Sequence, residues 1–176
     1  MNGSFEFIDN SDAVIAATEA AIDAALTSVG IQVMGYAVKN LEQDLPRNAG
    51  GETHGTLKNS ISFHVDQEEK CVQIGTNLSY AKYNEYGTGV YADDGNGKQG
   101  FWVYVPDSGE EGTSVGSAKV YTEAEARRIV AMLKAKGVDA HMTKGMTPTH
   151  FLKRAVEEHR DKIIQIISDS LKDAVQ

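Results

Sequence analysis

The segment YAKYNEYGTG, Tyr80 to Gly89, gathers three tyrosines, one glutamate and a Gly-Thr-Gly turn into ten residues. A phosphate cradle would need a glycine-rich turn followed by Gly-Lys-Ser/Thr at the start of a helix. Here Gly87-Thr88-Gly89 runs on into VYADDGNGKQG, which supplies neither the lysine in place nor a helix. The dinucleotide pattern GxGxxG fits at Gly87 and Gly89 but meets Ala92 at its third glycine, and no strand–turn–helix surrounds it. General-base chemistry would fall to Glu85, a lone carboxylate that would need a partner to tune it. The nearest acids in sequence, Asp93 and Asp94, sit on a Gly/Asp/Asn-rich loop. A small hydrolase would therefore have to pair Glu85 with a histidine. The structural alternative has Glu85 accepting hydrogen bonds from backbone or tyrosine hydroxyls and fixing the shape of the segment.

The remaining chemistry-bearing residues are scattered. His54, His64, His141, His150 and His159 form no HExxH and no Cys/His cluster. The stretch DDGNGK at Asp93 lacks the oxygen spacing and closing glutamate of a calcium loop and reads as a solvated turn. No GxSxG elbow occurs. No catalytic residue, metal or cofactor is therefore expected. Cys71 is the single cysteine, in an apolar alternating segment, and reads as a small buried hydrophobe in a chain kept in a reducing compartment. The net charge of −8 argues against a broad basic face for nucleic acid. Arg127, Arg128, Lys134 and Lys136 have acidic neighbours and read as a solvated helix face. The N-terminal residues show no secretory pattern, and no uninterrupted apolar run reaches the roughly eighteen residues of a membrane span. A cytosolic protein without a membrane span is expected.

The elements that must position these residues follow from periodicity. A long helix is predicted from about Ser11 to Asp44, capped by Ser11 or Asn10 and closed by Pro46. Its apolar positions are Ile15, Ile22, Leu26, Val29, Val33, Tyr36, Ala37 and Leu41, at helical spacing. Gly30 and Gly35 weaken it unless they serve a bend or close packing. RNAGGETHG reads as a loop, and LKNSISFHVDQEEKCVQIGT as a β-hairpin. After the tyrosine-rich segment, FWVYVP reads as a strand, and YTEAEARRIVAMLKAKG as a helix opened by a Thr122/Glu125 capping box and closed at Gly137. VDAHMTKGM holds a last short strand, and a second long helix is predicted from Thr149 to about Ala174, with Leu152, Val156, His159, Ile163, Ile166, Ile167 and Leu171 along one stripe. The class is α+β: a small, mainly antiparallel sheet packed with two long helices and one shorter one. One domain is expected over residues 1–176, with a candidate inserted lobe at about 101–141. The loops Ala49–His54, Tyr91–Gly100 and Asp107–Lys119 are candidates to order on assembly.

Three pieces taken together carry a family resemblance. Gly55, Leu57, Ser60 and Ile61 fill a G-x-L-x-x-S-I segment leading into the hairpin. Val72 to Gly89 fills V-x-I-G-T-N-x-x-Y-A-x-Y-x-E-x-G-T-G. Gly145, Met146, Pro148, Phe151 and Leu152 fill G-M-x-P-x-x-F-L at the start of the last helix. In this the chain resembles the minor structural proteins of long-tailed bacteriophages at the head–tail junction, known as neck, head–tail joining or tail-component proteins. Many relatives have Pro-Phe-Leu where this chain has Thr149-His150-Phe151-Leu152, so the helix start is expected to shift. The resemblance implies assembly rather than catalysis. It points to self-association, as a ring, and to contacts with neighbouring connector and tail proteins, in the host cytoplasm during assembly and then in the virion. On that reading the interaction residues are Tyr80, Tyr83, Glu85, Tyr86, Gly87, Thr88, Gly89, Met146, Pro148, Phe151 and Leu152. Tyrosines suit such a role because they bring large apolar area and a polar tip at low entropic cost.

Overall fold

The computed structural model describes residues 9–44, 53–106, 113–115 and 119–174. Two compact units emerge: Met1–Leu78 with Phe151–Gln176, and Ser79–His150 between them in the chain. The class is α+β with antiparallel strands throughout, as the sequence predicts. The strands divide into a two-stranded sheet, β1–β2, and a three-stranded sheet ordered β4–β3–β5.

The first unit is organised by helix α1, Ser11–Asp44. Its first main-chain bond runs from the Val14 N–H to the Asn10 carbonyl at 3.1 Å. The cap side chain comes from Asp9, whose carboxylate accepts from the Ser11 N–H at 2.9 Å and from the Ser11 hydroxyl at 2.6 Å. Ala25, Val29, Val33, Ala37 and Leu41 are buried at steps of three and four, the pattern of one helix face. That face begins only at Ala25. Ile15, placed on the stripe from sequence, is 56% exposed, because the first turns of α1 lie beyond the packed part of the helix. Gly30 is buried where a Cβ would strike the Phe63 ring of β1, so the glycine that weakens the helix lets that ring seat. Gly35 has no neighbour of this kind. By length and composition α1 is apolar enough to cross a membrane, with a mean hydropathy of 1.5 in its most apolar window. That window is alanine-rich and interrupted by polar residues, which is why a search for an unbroken apolar run passes over it. In this unit the second half of α1 supplies the core.

Helix α2, Thr53–Ser60, stands where the sequence predicts loop and the first residues of a strand. Leu57 is buried within it, and Ile61, the residue just past its end, is buried as well. Alternation over so short a stretch cannot be told from helical spacing. Strand β1, Ser62–Asp66, pairs with β2, Cys71–Gly75, in the predicted hairpin, with Phe63 opposite Ile74 and Val65 opposite Val72. Cys71 is half-buried, less enclosed than expected. The predicted last helix is divided into α5, Phe151–Glu157, and α6, Arg160–Ala174. The division falls at Glu158–His159, where the His159 ring stacks on Tyr36 of α1 with centroids 3.5 Å apart. Phe151 and Ala155 are fully buried, whereas Val156 and Ile167 of the predicted stripe are exposed. The turn between the two helices changes which face meets α1. Asn40, buried in α1, donates from Nδ2 to the Phe151 carbonyl at 3.1 Å, so the start of α5 is tied to α1 by a polar bond inside the core.

The second unit packs α4, Glu123–Ala135, on the sheet of β3, Trp102–Val105, β4, Thr113–Val115, and β5, His141–Thr143. Val103, Ala126 and Ala140 form its buried centre, with Ile129, Val130, Leu133 and Met142 packed around them. Strand β4 lies in a stretch read as loop. It has little apolar content, and its place rests on main-chain pairing to β3, with Val103 opposite Val115. The predicted capping box is present: Thr122 accepts from the Glu125 N–H, and the Glu125 carboxylate accepts from the Thr122 N–H at 2.9 Å. The bonds that the Glu125 carboxylate accepts from the Thr122 N–H and hydroxyl hold it below its ordinary range. Thr122→Ala is expected to cost about 1 kcal/mol, read as a lower urea midpoint with an unchanged slope. The Glu125 arm of the box is present above the ordinary glutamate range and is released as pH falls through its depressed folded value.

Candidate interaction surface

The tyrosine-rich segment forms α3, Ala81–Tyr86, a helix of six residues followed by Gly87 at φ 71°. Residues three or four apart share a helix face, whereas residues two apart do not. Ala81 and Glu85 accordingly turn inward and are buried, while Tyr83 and Tyr86 remain 43% and 59% exposed. Tyr80, at the N-terminal boundary, is half-buried and accepts from the Tyr83 N–H at 3.0 Å.

What holds this short helix is the second signature segment. The Thr88 N–H donates to the Met146 carbonyl at 2.9 Å, and the Met146 N–H donates to the Thr88 hydroxyl at 3.0 Å. The Val90 N–H donates to the Lys144 carbonyl at 3.0 Å. The Thr149 N–H and hydroxyl both donate to the Asn84 carbonyl, at 2.7 and 3.0 Å. The His150 N–H donates to the Glu85 carbonyl at 3.2 Å. Residues far apart in sequence are thus laced main chain to main chain. Gly89 permits a close approach: it sits at φ 63°, and a Cβ there would collide with the Lys144 carbonyl and come within 2.8 Å of Trp102.

Beside this lacing lies an open groove of about 420 Å³. Tyr83 and Tyr86 line it with Gly87, Gly89, Gly97, Asp93 and Asp94. Lys82 also borders it, with its Nζ 5.1 Å from the centroid of the Tyr83 ring. The loop that completes the groove is fastened at several points. The Asp93 N–H donates to the Tyr86 carbonyl at 3.0 Å, and the Asp94 carboxylate accepts from the Asn96 N–H at 3.0 Å. Asp93 Oδ1 lies 3.5 Å from His150 Nε2. Nearby, Lys144 Nζ stands 5.2 Å from the Tyr91 ring centroid, and its hydrogen bond with Tyr91 raises the proton affinity of the amine.

Of the residues singled out from sequence, Tyr80, Tyr83, Glu85, Tyr86, Gly87, Thr88 and Gly89 come together with Met146 and Pro148 in this unit. Met146 is 38% exposed. Pro148 lies close against Gly87, where an added Cβ would meet its Cδ at 2.8 Å. Phe151 and Leu152 belong to the other unit, where Phe151 is a core residue and Leu152 is half-buried. Sequence reasoning passed over Lys82, Asp93, Asp94 and Gly97 as lining residues. The polar glycine-rich loop that carries three of them reads as solvent-facing, and only the fold returns it to α3. Of the loops expected to order on assembly, residues 49–52, 107–112 and 116–118 lie outside the described residues.

The arrangement presents aromatic rings and carboxylates on a backbone fixed by hydrogen bonds, which suits recognition of another surface. Glu85 is 5% exposed, and its carbonyl accepts from the His150 N–H. Among the described residues no group of three or more His, Cys, Asp or Glu is placed to hold a metal ion. No curated protein and no solved structure matches the chain. A protein-family model does match, described as "Bacteriophage HK97-gp10, putative tail-component", over residues 5–87. The match takes in α1, the hairpin and α3 and stops before the second signature segment at Gly145. Over residues 5–87, just under half of its length, the chain is therefore similar to the HK97-gp10-like family of phage tail components.

Proposed function

We propose that the chain is a structural, non-catalytic subunit of phage virion assembly, acting at the head–tail junction or in tail completion. It works as one assembly subunit, through self-association and through contacts with neighbouring connector and tail proteins. The family match over residues 5–87 supports the tail-component role. The observation that carries the interaction reading is the lacing of Thr88 to Met146, which fixes the exposed rings of Tyr83 and Tyr86 before any partner arrives. A surface held in its bound shape loses less ordering entropy on assembly. The subunit is made in the host cytoplasm and ends in the virion, with no cofactor, no membrane and no specific nucleic acid among its partners. The net charge of −8 suits a neighbour of a channel that passes DNA, since a basic lining would retain the duplex.

Disruption of the gene in the phage that encodes it tests this. Electron microscopy is expected to show filled heads and tails that fail to join, or tails left incomplete, with joining restored by the purified protein. Normal particles at normal yield would refute the role. A tight, salt-sensitive duplex affinity in a mobility shift would refute the reading of the acidic surface.

A further inference from the structure

The outer side of α4 carries a second pattern, in the same unit as the groove. Arg128, Met132 and Lys136 follow one another at steps of four, which places them in line along the helix. All three are exposed, Met132 at 52%. Arg127 on the neighbouring position is engaged by Glu123, whereas Arg128 and Lys136 enter none of the ion pairs among the described residues. The ends of the stripe are about 12 Å apart at the helical rise. It therefore reads positive, apolar, positive. The groove reads as its complement: the exposed rings of Tyr83 and Tyr86, with Asp93 and Asp94 on the same lining. Methionine sulfur packs well on aromatic rings, and arginine meets both ring faces and carboxylates.

We infer that the groove of one copy receives the Arg128–Met132–Lys136 stripe of a second copy. The inference rests on the self-association proposed above and names the two surfaces that carry it. Because the surfaces consist of different residues, the contact is head-to-tail. Repetition of such a contact closes a ring when its rotation permits and otherwise extends a filament. Among the described residues Lys82 is the one cation on the groove lining, and its position over Tyr83 leaves Asp94 as the carboxylate to meet Arg128. Asp93 is held toward His150.

Sedimentation velocity of the full chain over a concentration series tests this, with two single charge reversals at exposed positions, Asp94→Lys and Arg128→Glu. Each alone is expected to weaken self-association by about tenfold, as loss of a charge contact at an interface does. The double variant, with the charges exchanged, is expected to recover most of that loss. Mixing the two single variants is expected to produce paired species, because each retains the surface the other lacks. Weaker association at high salt is expected as well. Self-association unchanged by both reversals would overturn this pairing of surfaces while leaving self-association standing. A wild-type chain that stays monomeric across the series would overturn both. Circular dichroism of each variant separates loss of association from loss of fold.

Discussion

Gly89→Ala is expected to destabilise the Ser79–His150 unit by about 3 kcal/mol. A left-handed backbone costs an L-residue about 1–2 kcal/mol. The remainder comes from the added methyl, which cannot share space with the Lys144 carbonyl. Moving that carbonyl away breaks its bond from the Val90 N–H and leaves main-chain groups short of partners, at about 1–3 kcal/mol. The control is Gly95→Ala. Gly95 also has a positive φ, at 68°, but nothing surrounds its Cβ position. It is expected to lose only the backbone term of about 1 kcal/mol. Trp102 is the sole tryptophan, lies in the same unit and approaches the Gly89 Cβ position, so its fluorescence during urea unfolding reports on both variants. Equal effects at Gly89 and Gly95 would mean that the close approach to Lys144 contributes nothing to the unit.

Phe151→Ala is expected to cost the other unit about 3–5 kcal/mol, the usual loss for a large aromatic removed from a closed core. Phe151 is among the largest fully buried side chains, and its carbonyl is the acceptor for Asn40. Asn40→Ala, which leaves that carbonyl without its donor in a buried setting, is expected to cost about 1–3 kcal/mol. The two effects should not add, because both loosen the start of α5 against α1. Leu152→Ala, at a half-buried position, should cost clearly less than Phe151→Ala. Far-ultraviolet circular dichroism, dominated in this unit by α1 and α6, follows all three. Should Phe151→Ala keep its stability and instead abolish association, Phe151 would be an interface residue and its place in the core would have no energetic weight.

How much of this could be read from the chain depends on how local each determinant is. The span of α1 and the Thr122/Glu125 capping box were legible because a cap, a period and a stop lie within a few turns of each other. Helix α2 was not, because its eight residues hold too few apolar positions to distinguish a period of 3.6 from alternation. Strand β4 was hidden for another reason: its determinant is the unpaired edge of β3, which the residues Thr113–Val115 do not encode. The break at His159 depends on the Tyr36 ring, which is remote in sequence. The candidate surface divides in the same way. The tyrosines at steps of three and the Gly-Thr-Gly turn announced themselves. That Met146 and Pro148 would lie against them, and that Asp93 and Asp94 would line a groove with them, follows only from main-chain bonds closing across most of the unit.

The chain passage through the two units also sets an order of events during synthesis. Everything the Ser79–His150 unit needs has been translated once His150 leaves the ribosome. Helix α1, made first, must wait for Phe151, Ala155 and the rest of α5 and α6 before its buried face is covered. Until then Val29, Val33 and Leu41 lack those late-arriving neighbours, since contacts of long sequence separation form last. Helix α1 is thus among the last elements to be secured, and a nascent chain stalled before Phe151 would carry one finished unit and an apolar helix open to chaperones.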